Sequence, residues 1–129
     1  MMLSPYTKDL NSVAVDFDGT IYFNGRIDYK AVKYLKKISE LGIDLVLWTA
    51  RDEERYDKAY NICRSLGLDV KHPPEATNKI HCLYYIDDRS VPGGKINWIA
   101  TYHYIKKEVA ALRRYRQSLF DEYSKNSLS

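Results

Sequence analysis

Two aspartates one residue apart, Asp16 and Asp18, end the apolar run Val13-Ala14-Val15 and lead straight into Gly19 and Thr20. Like charges about 4 Å apart repel by roughly 4 kcal/mol at an effective dielectric near 20. A chain tolerates such a pair when a cation neutralises it or when one acid keeps its proton, and both outcomes are useful for moving a phosphoryl group. A second pair, Asp87-Asp88, ends another apolar run, Leu83-Tyr84-Tyr85-Ile86. Brought together, these four carboxylates would attract Mg²⁺, which takes oxygen ligands in octahedral geometry and keeps waters that a substrate phosphate can replace. Thr49 offers a hydroxyl donor and Lys79 a compact positive charge. Phosphoryl transfer needs a nucleophile, a proton donor, a metal and donors on the equatorial oxygens. A carboxylate can itself attack phosphorus and form an aspartyl-phosphate.

The elements around these residues must bring them to one place. Ser12 to Asp16 reads as a buried strand bounded by glycine. Gly19 and Asn24-Gly25 mark a short excursion that predicts a hairpin flap over Tyr22 to Arg26. Asp28 is a helix N-cap, with Ala31, Val32, Leu35, Ile38 and Leu41 at helical spacing and Gly42 closing the helix. Ile43 to Trp48 is the second strand, and Thr49 stands at its end. Asp52 caps a second helix through about Leu66, ended by Gly67. Leu68 to Val70 predicts a short strand, the two prolines after His72 predict a loop, and Cys82 to Ile86 predicts the next strand. A long helix follows over about 96–122, and Ser124 to Ser129 should fray. Strands alternating with helices imply right-handed crossovers and a parallel sheet. The strand ends at Asp16, Thr49 and Asp87-Asp88 then lie on one edge, where open α/β sheets place their chemistry.

Bulk properties narrow the classes. A chain of 129 residues is one domain by length and long enough for a real core. A net charge of +3 argues only weakly for nucleic acid. Cys63 and Cys82 lack CxxC spacing and read as reduced thiols, which suits a cytoplasmic protein. No apolar leader and no run of 18 apolar residues is present, so neither export nor a membrane span is expected. Most of the twelve tyrosines read as half-buried packing with a solvated hydroxyl. His72, His81 and His103 are scattered and read as structural or solvent-facing. Arg51 has two readings, a solvated or salt-bridged side chain and a contact to phosphate; Arg89 reads as locally paired, and Glu53-Glu54-Arg55 as a solvated helix face. Thr49 has a second reading as a helix N-cap. The basic C-terminal helix carries an apolar stripe of Trp98, Tyr102, Ile105, Val109, Leu112 and Leu119. At about 1.5 Å per residue it is long enough to overhang the body and seed a homo-oligomer.

The chain resembles the haloacid dehalogenase (HAD) superfamily, specifically its small HAD-like hydrolases of bacterial and phage type. The resemblance rests on Asp16-Phe-Asp18-Gly-Thr20, Leu45-Val-Leu-Trp-Thr49-Ala-Arg51, Lys79 and Tyr85-Ile-Asp87-Asp88-Arg89, in that family's order, with the later Pro-Gly-Gly and Trp98. It covers about residues 12–105 and implies a three-layer Rossmann-like parallel sheet with helices on both faces. The intervals between motifs leave no room for a folded cap domain. The implied activity is that of a Mg²⁺-dependent phosphomonoesterase on a small phosphorylated substrate. In that reading Asp16 is the nucleophile and a metal ligand. Asp18 is the general acid and base and gives the metal its carbonyl oxygen. Thr49 and Lys79 hold phosphoryl oxygens, and Asp87 and Asp88 complete the metal site. Lys71 and Lys95 are the other candidates for the lysine. An acid at position 18 favours phosphatase over dehalogenase chemistry. A receiver-like signalling domain is excluded by motif order, since its Thr and Lys follow differently. A catalytically silent phosphate- or metal-binding module, or a nucleic-acid end-processing enzyme, remains the competing expectation.

Overall fold

The computed structural model describes residues 11–73, 82–87 and 95–127. Within them the order is β1 (Ser12–Val15), β2 (Tyr22–Phe23), β3 (Arg26–Ile27), α1 (Tyr29–Ser39), β4 (Asp44–Leu47), α2 (Glu53–Ser65), β5 (Val70–Lys71), β6 (Tyr84–Ile86) and α3 (Trp98–Ser127). The fold is α/β, built on a four-stranded parallel sheet of order β5-β4-β1-β6 and compatible with a Rossmann-like arrangement.

β1 is inside the sheet because its side chains are apolar on both faces, as parallel strands require. Val13, Ala14 and Val15 are all buried. Val15 is in register with Leu47 on one side and Ile86 on the other. The three chains therefore leave the sheet at the same level. The ladder continues past the strands, with Asp16 N–H donating to the Ile86 carbonyl (3.0 Å) and Trp48 N–H to the Val15 carbonyl (2.9 Å).

The expected caps are in place because capping is decided locally. The Asp28 carboxylate accepts from Lys30 N–H (3.0 Å) and Ala31 N–H (3.4 Å), and Asp52 accepts from Arg55 N–H (3.1 Å). Gly42 and Gly67, just past the two helices, have φ of +84° and +80°, where a Cβ would be strained. Ala31, Val32, Leu35 and Ile38 form the buried face of α1. The predicted hairpin flap is β2-β3, turning at Asn24-Gly25.

Several boundaries differ from the expectation. The short strand lies at Val70–Lys71, with Leu68 buried just before it in the core. β6 covers only Tyr84–Ile86. Helix α3 continues through Ser127, past the Ser124 at which fraying is expected to begin, since no glycine or proline follows Gly94; Leu128 and Ser129 lie outside the described residues. Five tyrosines (Tyr29, Tyr85, Tyr104, Tyr115 and Tyr123) are exposed rather than half-buried.

All three helices bury residues in the cluster that holds Val13, Val15, Leu45 and Leu47. The alternate positions Ala14 and Val46 face the other way and pack with Trp48 and Cys82. Among the described residues no helix joins that second cluster, so helices on both faces are not what these residues show. No helix among them is long and apolar enough to cross a membrane.

Candidate phosphoryl-transfer site

Asp16, Thr49 and Asp87 sit where the register puts them, just past the ends of β1, β4 and β6. Neighbouring strands lie about 4.8 Å apart, so Asp16 and Asp87 leave the sheet side by side. All three residues are partly buried. The Asp16 Oδ1 accepts from the Phe17 N–H (2.8 Å).

Immediately after Asp16 the chain folds into a tight loop. The Phe17 carbonyl accepts from the N–H groups of Thr20 (3.3 Å), Ile21 (2.9 Å) and Tyr22 (3.1 Å). Gly19 supplies the φ of +77° that the turn needs, and its N–H donates to the Tyr22 carbonyl (2.9 Å). Phe17 and Ile21 are driven fully into the core. Thr20 is buried with them, and its hydroxyl has no partner among the described residues. Burying Phe17 and Ile21 leaves the intervening Asp18 outside, on the open side of the turn.

There Asp18 meets Arg51, 33 residues away. Nε donates to Oδ2 and NH2 to Oδ1, each at 2.7 Å, a bidentate ion pair. The Arg51 side chain is only 17% exposed and that of Asp18 is 51% exposed. The guanidinium lies 4.8 Å from the Phe17 ring centre and 5.7 Å from that of Tyr22, and those two rings stack at 5.3 Å. The hydrogen bonds from Arg51 hold the Asp18 carboxyl below the usual carboxylate range, and Asp18 in turn pushes the Arg51 pKa up. Salt bridging, one of the two sequence readings of Arg51, is the outcome, but its partner is a site acid, which nothing local in the sequence announced.

Thr49 is not the cap of α2, since Asp52 fills that position. The Thr49 Oγ1 instead accepts from the Arg51 N–H (3.4 Å). Asp16, Asp18, Gly19, Thr49, Arg51 and Arg55 line an open cleft of about 490 Å³. Arg55 thus lines the site wall while its side chain stays 70% exposed, as a solvated helix face predicts.

The other candidates divide. Lys79 and Asp88 lie outside the described residues, as do His81 and Arg89. Lys71 is exposed on β5, paired with Val46 and two strands away from β1. Lys95 is exposed before α3. Among the described residues no three His, Cys, Asp or Glu side chains gather closely enough to hold a metal ion. What Asp16, the Asp18 carbonyl and Asp87 do offer is oxygen alone, the donor type of a hard cation. Burial pushes the Cys63 pKa up to about 11 and raises that of Cys82 as well, which disfavours the thiolate at both.

No family model and no curated protein matches the chain. Among solved structures, a conserved protein coded by a locus of Bacteroides thetaiotaomicron is similar over 75% of this chain and 90% of its own, with 34% identity and a TM-score of 0.61. At that identity and coverage, the chain belongs to the same family as this conserved Bacteroides protein.

Proposed function

We propose that the protein is a Mg²⁺-dependent phosphomonoesterase of the HAD type, acting through an aspartyl-phosphate on Asp16. One observation carries the reading: Val15, Leu47 and Ile86 are in register on adjacent parallel strands, so Asp16, Thr49 and Asp87 follow at one sheet edge, and Asp16 and Thr49 line one cleft with Asp18. The intervals between them hold only a two-stranded hairpin and single helices, which supports a capless member with an open site. Three layers, with the second face of the sheet covered, complete that reading.

In the first step a carboxylate oxygen of Asp16 attacks phosphorus and the ester P–O bond breaks. The leaving oxygen takes a proton from Asp18 and departs as the alcohol. In the second step water attacks the same phosphorus, Asp18 takes the water proton, and the bond from phosphorus to Asp16 breaks to release inorganic phosphate. The Arg51 pair holds Asp18 as a carboxylate, the form the second step uses. The first step needs that pair opened and Asp18 protonated. The Thr49 hydroxyl and a lysine, Lys79 in this reading, bind phosphoryl oxygens. Asp16, Asp87, Asp88 and the Asp18 carbonyl would hold Mg²⁺, whose charge stabilises the phosphoryl oxygens. The substrate is a small phosphate ester and the compartment the cytoplasm.

The test is hydrolysis of p-nitrophenyl phosphate by the purified full chain. Turnover should require Mg²⁺ and vanish in Asp16→Asn, which keeps the shape of the side chain and removes its nucleophilic charge. Wild-type turnover that survives in Asp16→Asn ends this reading. Mg²⁺ binding without hydrolysis of any phosphate ester would assign the chain to the silent modules instead.

A further inference from the structure

The cleft at Asp16 does not stop at Arg55. A second hollow of about 440 Å³ adjoins it, sharing Asp18, Arg51 and Arg55 and adding Tyr22, Lys58 and Ile62. Arg55, Lys58 and Ile62 are spaced i, i+3, i+7 on α2, which places them on one face of the helix. Tyr22, from the hairpin flap, forms the facing wall.

The charges of this outer hollow are unbalanced. Asp18 is its only acid and is already matched by Arg51. Arg55 is held at 3.2 Å by the exposed carboxylate of Asp52, on the α2 cap outside the hollow. Lys58 is exposed and, among the described residues, pairs with no carboxylate. Two cations therefore face a concave space next to the nucleophile, with an aromatic ring opposite. At 1.5 Å per residue, Lys58 lies about 4.5 Å beyond Arg55 along the helix, farther from Asp16 by one short step. A monophosphate on Asp16 leaves Lys58, outside the Asp16 cleft, unused.

We propose that the substrate is a small organic phosphate ester carrying a second anionic group, a second phosphate or a carboxylate, which Lys58 and Arg55 bind in the hollow beneath Tyr22. This rests on the phosphomonoesterase reading for what happens at Asp16. The hollow itself is a binding site whether or not turnover occurs. Two cations over one helical turn match one extra anion and not a nucleic-acid backbone, whose recognition draws on many phosphate contacts.

A ruler of alkane-1,n-diol bisphosphates, each compared with its own monophosphate, tests the proposal on the full chain with Mg²⁺. The bisphosphate should have a kcat/KM roughly tenfold or more above the monophosphate at one chain length, the effect expected of a charge-assisted contact. Lys58→Glu should collapse that ratio toward one, while Lys107→Glu, the same charge change on α3, leaves it in place. Calorimetry of the Asp16→Asn protein with the same compounds gives a readout independent of turnover. A bisphosphate preference there, lost in Lys58→Glu, supports the subsite even if no ester is hydrolysed, and in that case the phosphatase reading alone fails. Hydrolysis of mono- and bisphosphates with equal efficiency at every length overturns the subsite and leaves the phosphatase reading intact. A phosphorylated oligonucleotide turned over better than every small bisphosphate overturns the assignment to a small substrate.

Discussion

Arg51 commits both prongs of its guanidinium to one carboxylate while its flat face rests against Phe17 and Tyr22. Lysine has the charge but neither the fork nor the flat face. Half of the Asp18 side chain is exposed to water, so the pair contributes little to folding, within the 0–1 kcal/mol typical of screened ion pairs. Its consequence is positional: it fixes where the Asp18 oxygens stand relative to Asp16, and small misplacements at a reacting centre are costly in rate. Arg51→Lys should therefore change the urea unfolding free energy by less than about 1 kcal/mol. It should also lower kcat for p-nitrophenyl phosphate by about tenfold or more, through the second step that uses the positioned Asp18 carboxylate, and spare kcat/KM, which reports the first step. Equal losses in stability and rate would make Arg51 a merely structural residue. The carboxylates themselves were readable in the sequence because each stands at the end of an apolar run. The Arg51–Asp18 pair was not, since it joins residues 33 positions apart and depends on the turn after Asp16.

Helix α2 is the element that ties the site to the sheet, and Tyr56 is its fastening. The Tyr56 hydroxyl lies 3.2 Å from the Leu47 carbonyl, the last residue of β4, and 3.1 Å from His72 Nδ1. It donates to Leu47 and accepts from an Nδ1–H of His72, a tautomer assigned by the network. The His72 ring stacks on Tyr60 at 4.2 Å, closing the group. Burial pushes the Tyr56 pKa up to about 12. A folded-state pKa raised above its unfolded value near 10 gives stability that is whole below about pH 10 and is lost as pH rises toward 12. Tyr56→Phe should cost about 1 kcal/mol at pH 7 through the lost hydrogen bond. The gap between variant and wild type in urea midpoint should then shrink above pH 10, because phenylalanine has no proton to lose. A gap that stays constant to pH 12 would place the Tyr56 hydroxyl in water. The caps Asp28 and Asp52 and the glycine stops were legible because they are local. The edges of β5 and β6 were not, because two- and three-residue strands are set by the partner strand more than by their own sequence. Arg55 is solvated, as its place beside Glu53 and Glu54 suggests, and that it also lines the cleft is decided only by the fold.

At the scale of the whole molecule, α3, at 30 residues, is more than twice as long as α1 (11 residues) or α2 (13 residues). Its fully buried positions are Trp98, Ile105 and Val109, all in its first half, where it lies against α1 and Tyr102 meets Tyr34. Two arginines extend the attachment slightly: Arg113 donates to the Leu41 carbonyl and Arg116 to Asn11 Oδ1. Beyond them Phe120 is 64% exposed and Tyr123 is 73% exposed. Among the described residues no side chain of α3 beyond Val109 is fully buried, and helical turns with little to pack on have little stability of their own. Ending the chain after Gln117 keeps both arginine contacts and the whole core, so the urea unfolding free energy should stay within about 1 kcal/mol of the full chain, inside the range of surface changes. A second measurement locates any use of the exposed aromatics. Where they cover each other between two copies, the midpoint of the full chain rises with protein concentration and that of the shortened chain does not. A loss of more than about 3 kcal/mol at low concentration, the size expected for removing core packing, would mean instead that the last turns of α3 belong to the fold of the single chain.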